Sequence, residues 1–332
     1  MQNKRERRVF KNLQKRFKED KYTGFGSGAN SQGARLLGRD GTYNVERTGQ
    51  AFTDYYSPFH SLVTMTWTKF FLMIFLIFCL TNIIFSILYM FVGFDEFTGF
   101  AFNHAPGKFF DLLTFSAQTL TTVGYGRVNP IGYWAGTIAS FEAMIGLLSF
   151  ALVTGLLYGR FSRPIIKLTL SKNGVIAPFN DINALMIRIA NSRKNQLLEC
   201  EAIMLLSIID KDSNKRNFIT LDLEYSKINA LALSWTIVHP ITENSPIYGL
   251  TEADLLDLNA EFIVMFKAFE DTYSQHVHTR FSYIAEDFVW GAKFLPMFKR
   301  SEEGLQTILE LDKIGAYENV PLNETKKASE EA

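Results

Sequence analysis

Net charge is the first thing this chain of 332 residues lacks: 34 Lys and Arg stand against 34 Asp and Glu, which leaves no basic field to hold nucleic acid. Cysteine is scarce. Cys79 and Cys200 offer no disulfide framework; they fit a reducing compartment, with packing as their role. Catalytic signatures are missing too. There is no HExxH, no CxxC and no phosphate-binding glycine loop after a strand, so nothing reads as an enzyme or calls for an organic cofactor. His276 and His278, two apart on a strand, read as solvated histidines rather than metal ligands. No internal repeat is visible, which excludes solenoids and propellers.

The informative absence is local. From Phe70 to Phe94 no side chain is charged, and from Ile131 to Gly159 only Glu142 is. At 1.5 Å rise per residue each run exceeds the roughly 20 residues that a bilayer core requires. Two spanning helices are expected, about 67–93 and 131–160. The basic segment NKRERRVFKNLQKRFKEDK precedes the first run, whereas the loop between the runs holds Lys108 and Arg127 against Asp95, Glu96 and Asp111. That bias puts both termini in the cytoplasm of a multi-pass protein of the cell membrane. The segment 51–66 reads as an interfacial helix, with Pro58 in its first turn.

Between the spans, HAPGKFFDLLTFSAQTLTT opens on a Pro-Gly start signal and continues for about three turns, too short to cross. A re-entrant helix and loop, 106–126, is expected, feeding into TTVGYG. Carbonyls left unpaired at membrane depth each cost several kcal/mol, so something must occupy them. Thr122, Val123, Gly124 and Tyr125 present carbonyls in succession, with the Thr122 hydroxyl innermost, and Gly124 and Gly126 supply backbone angles that a side chain opposes. Such closely spaced oxygens replace the water shell of K⁺, with Val123 and Tyr125 packing behind them. One chain makes one wall, so four copies around an axis are expected.

Glu142 is the one acid inside a span. It reads either as a group that bonds the loop and raises local cation concentration, or as a structural acid bonded to the pore helix. Gly146 and Gly155 read either as packing reliefs or as hinges. Phe150, Thr154 and Tyr158 fall at four-residue steps on one side of the second span. Arg160, Arg163 and Lys167 follow it, and Lys69 starts the first, at the level of anionic headgroups.

After Pro164, stretches such as ALMIRIA, AIMLLSII, FITLDLEY, SWTIVHPI and EFIVMFKAF alternate or run apolar, separated by DKDSNK and NSRKN. They argue for an all-β sandwich or barrel, with TEADLLDL as one short helix capped by Thr251.

TTVGYG between two spans resembles the potassium channels, and LSWTIVHPITENSPIYGL, GRDGTYNV, SFALVTGLLYGRFSRP and FSYIAEDFVWGAKF are similar to the inward-rectifier class and its prokaryotic branch. The resemblance implies a homotetramer of two transmembrane helices, a re-entrant pore helix and a selectivity filter, followed by a cytoplasmic immunoglobulin-like β-sandwich. It implies K⁺ in the filter, a bundle-crossing gate at Tyr158 and phosphoinositide-like lipids at the basic cluster. Gln118 stands where many relatives have a Glu paired with an Arg after the filter, so Gln118 and Arg127 are expected to support the filter without that ion pair. Phe150 falls where strong rectifiers hold polyamines on an acid, and Glu199 matches a cytoplasmic pore carboxylate. Weak rectification by polyamines or Mg²⁺ is therefore expected, with voltage gating alongside. The expected divisions are a flexible arm over 1–50 ending in a strand near Tyr43 to Val45, the interfacial helix, a pore domain over 67–163, a β domain over 164–318 and a disordered tail over 319–332. A membrane-anchored sensor with a vestigial pore and an ion-coupled transporter are the competing readings; the intact filter glycines oppose the first and the single pore loop the second.

Overall fold

The uncharged runs become two long helices, α2 (Trp67–Val92) and α4 (Tyr133–Phe161), of 26 and 29 residues. Their outward faces are apolar, as a hydrocarbon solvent demands. The computed structural model describes residues 9–13, 15–17, 19–20, 24, 35–39, 41–44, 46, 48–49, 58–164, 166–210 and 215–324. Residues 51–57 of the interfacial helix expected over 51–66, Val45 of the expected strand and the tail beyond 324 lie outside them. Two compact units result, Thr48–Arg163 and Pro164–Ala332 with Met1–Arg47.

In the first unit a short helix α1 (Pro58–Thr64) starts on its proline, in the first turn where N–H groups have no intrahelical partner to lose. The re-entrant helix α3 (Ala105–Leu120) carries Pro106 in its first turn, and His104 Nδ1 accepts the Gly107 N–H at 3.1 Å as its cap. A two-residue ladder of β1 (Phe97–Thr98) on β2 (Asn129–Pro130) closes the outer loops. Glu96 then reaches across to accept the Ala135 N–H at 2.7 Å, a carboxylate at the positive end of α4. Tyr89, Phe97, Leu112 and Val128 fill the space these elements enclose.

The second unit is a sandwich. One sheet runs β11 (Gln275–Ile284), β10 (Glu261–Glu270), β6 (Leu197–Asp210), β7 (Lys215–Leu221), with β8 (Lys227–Ala230) also on β6. The other runs β12 (Phe288–Trp290), β4 (Gly174–Phe179), β5 (Ile182–Asn191), β3 (Leu168–Leu170), with β9 (Ser234–Ile241) also on β5. Period-two alternation drives Leu185, Ile187 and Ile189 from one sheet against Met204, Phe262, Val264 and Phe266 from the other. Each such side chain contributes about 1.5–3 kcal/mol of burial. Cys200 lies in this core, its thiol pushed up to about 11 by burial, which makes it inert packing as expected. Burial also lowers the His239 pKa; the neutral ring is held between the Asp222 carbonyl at 2.6 Å and the Ser245 hydroxyl at 2.8 Å. The capping box of Thr251 with Asp254 starts α5 (Glu252–Asp257) as expected.

Three expectations are corrected. The described parts of the arm do not hang free: Phe10 and Leu13 enter the main core, while the Leu36 and Leu37 N–H groups are taken by the buried Glu261 carboxylate at 2.9 and 3.1 Å. The strand expected near Tyr43 is a single bridge, Leu37 to Tyr43, because Gly41 turns the chain tightly onto Arg280, whose guanidinium stacks on the Tyr43 ring. The described part of the tail, residues 319–324, is packed onto the β domain. Tyr317–Asn319 pairs with Ala292–Phe294, and the Asn323 side-chain amide donates to the Asn180 and Ile182 carbonyls at 2.9 and 2.7 Å.

Candidate functional site

The loop after α3 is held at both ends and bare in the middle. At its start the main-chain carbonyl of Gln118 accepts the N–H groups of Val123 at 2.9 Å and Gly124 at 3.3 Å. At its end the Asn129 side-chain amide donates to the Gly126 carbonyl at 2.6 Å. Among the described residues no hydrogen bond reaches the carbonyl oxygens of Thr122, Val123, Gly124 or Tyr125. The φ angles of Thr122, Gly124 and Gly126 are +61°, +53° and +79°, while Val123 and Tyr125 between them stay at negative φ. Alternation of left- and right-handed residues is a backbone pattern that allows successive carbonyls to face one side. A β-branched Thr in the left-handed region costs on the order of 1–3 kcal/mol, a strain that points to function. Tyr125, 81% exposed, and Val123, 52% exposed, project from the isolated subunit with nothing behind them.

The end of α3 rests on the middle of α4. A Cβ on Gly146 would collide with the Leu120 carbonyl, so this glycine, expected among the gate and cavity residues, is the seat of the re-entrant helix. Of the two roles open to it, packing is the one the contact supplies. Gly155 has open space around it and meets no such constraint.

Behind the loop, three helices share one polar cluster. Glu142, fully buried, accepts from the Tyr89 hydroxyl of α2 and, at 2.5 Å, from the Ser116 hydroxyl of α3; Ser116 also lies 3.0 Å from Asn82 Oδ1. In hydrocarbon a buried acid survives only when bonded in this way. Glu142 therefore bonds the re-entrant helix and not the loop itself. Gln118 meets the loop through its main chain. Arg127 has an ion-pair partner after all, Asp111, which is fully buried on α3. Asp111, Tyr89, Ser116 and Asn82 were missed in the sequence, although an acid inside the apolar run FFDLLTF was a signal in plain view.

Further along α4, Phe150 is 74% and Tyr158 75% exposed, and the Thr154 hydroxyl bonds back to the Phe150 carbonyl at 2.8 Å. Leu147, Leu148 and Leu152 are as bare, so exposure alone does not separate cavity from lipid. Position does. The stripe Glu142, Gly146, Phe150 advances about 40° per four-residue step, and it leaves the re-entrant helix at Gly146, so Phe150 lies one turn past its end.

Arg160, expected in the basic cluster, is engaged inside its own unit. Its guanidinium donates to the Leu62 and Met65 carbonyls at 2.6 and 2.7 Å and lies 4.4 and 4.5 Å from the Trp67 and Phe70 ring centres. It clamps the end of α1 to the end of α4, while its Nε is buried without a hydrogen-bond partner among the described residues. Lys69 and Arg163 are exposed in the same unit; Lys167 is exposed in the other. Glu199, also in that unit, sits on the bulge of β6 between the Lys267 and Phe269 registers, with φ of +48° and its side chain exposed. A bulge re-aims a side chain out of the regular alternation. No group of three or more metal-ligating side chains occurs among the described residues.

Residues 168–331 match the family described as inward rectifier potassium channel C-terminal domain, and residues 76–163 match the family described as ion channel. The chain is similar to the inward rectifier potassium channel Kirbac3.1 of Paramagnetospirillum magnetotacticum, at 34% identity over 278 residues that cover 82% of this chain and 92% of that one. Voltage gating, expected above, is thereby overturned, since channels of this type are not gated by voltage. The helices agree: apart from Glu142, α2 and α4 hold only Lys69 and Arg160 as charges, both near the ends, with no basic series for a field to move.

Proposed function

Because the chain belongs to the inward-rectifier potassium channel family, in its prokaryotic branch, we propose that Thr122 to Gly126 form its K⁺ selectivity filter, one wall from each of four subunits. The chain is a membrane-spanning potassium channel and not an enzyme. The observation behind the filter assignment is the run of four carbonyls without hydrogen-bond partners, in a backbone of alternating handedness. K⁺ ions passing in single file supply the missing partners, and their lost hydration is made up by rings of four carbonyls. The bare Tyr125 and Val123 side chains then pack against neighbouring subunits.

In this reading the chain lies in the cell membrane with both termini in the cytoplasm. Tyr158 forms the gate: four rings converge at the cytoplasmic end of α4 and dewet the path. Gly155, free of packing, is the hinge, and Thr154 and Phe150 line the cavity above. Anionic, phosphoinositide-like lipids act at Lys69, Arg163 and Lys167, with Arg160 holding the interfacial helix in register. Rectification by polyamines or Mg²⁺ is weak, because Phe150 offers them no charge and Glu199 gives only a shallow site.

Purified protein in liposomes, with and without anionic lipid, should pass K⁺ and Rb⁺ but not Na⁺, and Ba²⁺ should block it. Equal Na⁺ and K⁺ flux would sink the assignment. For the gate, Tyr158→Ala should raise basal flux at matched protein per vesicle. Flux at or below wild type would place the constriction elsewhere.

A further inference from the structure

One ion pair at the outer end of the loop plays no part in binding K⁺. Arg127 directly follows Gly126, and its side chain is 54% exposed, whereas that of Asp111 is fully buried. The main chain at Arg127 is closely packed: a Cβ on Gly99 would collide with the Arg127 carbonyl, Thr98 is paired with Asn129, and Val128 is buried. What remains to be decided is where the guanidinium goes. Asp111 Oδ1 takes it, while Oδ2 accepts the Ala101 N–H at 2.8 Å and keeps the carboxylate aimed. The other charges of this region are engaged or distant from the task. Glu96 caps α4, the Lys108 ammonium lies 5.2 and 5.3 Å from the Phe94 and Phe100 ring centres, and Asp95 is exposed.

Resting on the filter reading above, we propose that Asp111 is a positioning residue that draws the Arg127 guanidinium back from the outer mouth of the pore. Four copies of an arginine one residue beyond the filter would otherwise put four positive charges where K⁺ arrives from outside. A ring of like charge at a mouth depletes the permeant ion locally and slows its arrival. The buried carboxylate neutralises each guanidinium and turns it toward α3, away from its own Gly126. Asp111 thus sets how readily external cations reach the filter without touching them.

The test is inward K⁺ current of the full-length protein in planar bilayers, at low and high ionic strength, with external Ba²⁺ as the probe of cation access. Asp111→Asn keeps the shape and removes the counter-charge. Its inward current should fall about threefold or more near 0.01 M salt, where the field of a charge extends about 30 Å, and recover near 1 M, where the screening length is about 3 Å. External Ba²⁺ block should weaken in parallel. In the double variant Asp111→Asn, Arg127→Gln both effects should vanish, because the charge that Asp111 restrains is gone. A loss of current in Asp111→Asn that persists in the double variant, or that ignores salt, would show that Asp111 only builds the fold and would overturn the inference. So would wild-type behaviour of the single variant. If wild type itself fails to select K⁺ over Na⁺, the filter reading falls first and takes this inference with it, an outcome visible before any variant is made.

Discussion

Phe150→Asp is expected to turn weak spermine block into tight, steeply voltage-dependent block. Phe150 lies one turn beyond Gly146, where the re-entrant helix ends on α4, and its ring is bare in the subunit. In a tetramer the substitution places four carboxylates on one ring below the filter. Mutual repulsion keeps one or two of them protonated, yet the remainder act in a narrow cavity of low dielectric. Each spermine charge drawn into the membrane field adds about 2.3 kcal/mol per 100 mV. Outward current in bilayers, with spermine on the cytoplasmic side, reads the effect directly. A gain in affinity of less than about tenfold, roughly 1.4 kcal/mol, would show that Phe150 faces lipid.

Gly124→Ala is expected to abolish selective K⁺ flux. The space around Gly124 is open, so the cost is conformational: its φ is +53°. An L side chain in that region costs about 1–2 kcal/mol, hence about 4–8 kcal/mol over four subunits, a large fraction of the stability of a whole domain. The adjacent Thr122 already sits at +61°, so the loop has little tolerance left. It is expected to relax by flipping a peptide, which turns one carbonyl per subunit off the axis. Rb⁺ uptake into liposomes, against Na⁺ as control, measures the loss. Flux within a factor of about two of wild type, less than the roughly 0.4 kcal/mol such a factor represents, would mean that ions bind elsewhere.

Local chemistry made much of this protein legible before any fold was known. Two runs nearly free of charge read as hydrocarbon-spanning helices, and the structure places long apolar helices at Trp67–Val92 and Tyr133–Phe161, within a few residues of the expected ends. Glycines at 124 and 126 foretold left-handed backbone, and alternation after Pro164 foretold a sandwich. Each of these is a periodic or positional signal, written by the residue itself or by neighbours a few places away. The same logic fell short on the described parts of the arm and on residues 319–324, where Gly-rich or polar composition read as disorder. Leu36, Leu37 and Asn323 find partners more than a hundred residues distant, Glu261, Asn180 and Asn183, and no local pattern announces them.

The choice of partner was the tertiary structure's to make. Arg127, Arg160 and Glu142 were all singled out in the sequence as charges that matter, but their roles followed from what lay within reach. Arg127 turned back to Asp111, Arg160 stacked on Trp67 and donated to the end of α1, and Glu142 bonded two neighbouring helices. Gly146 was a hinge or a relief until Leu120 was found resting on it. The sequence by itself determined that there are two spans, a re-entrant helix, a carbonyl-lined loop and a β domain, because burial periodicity and backbone permissiveness are properties of short stretches. Only the fold decided which charge meets which, because an unpaired charge in a low-dielectric interior takes whichever partner the packing of distant segments brings to it.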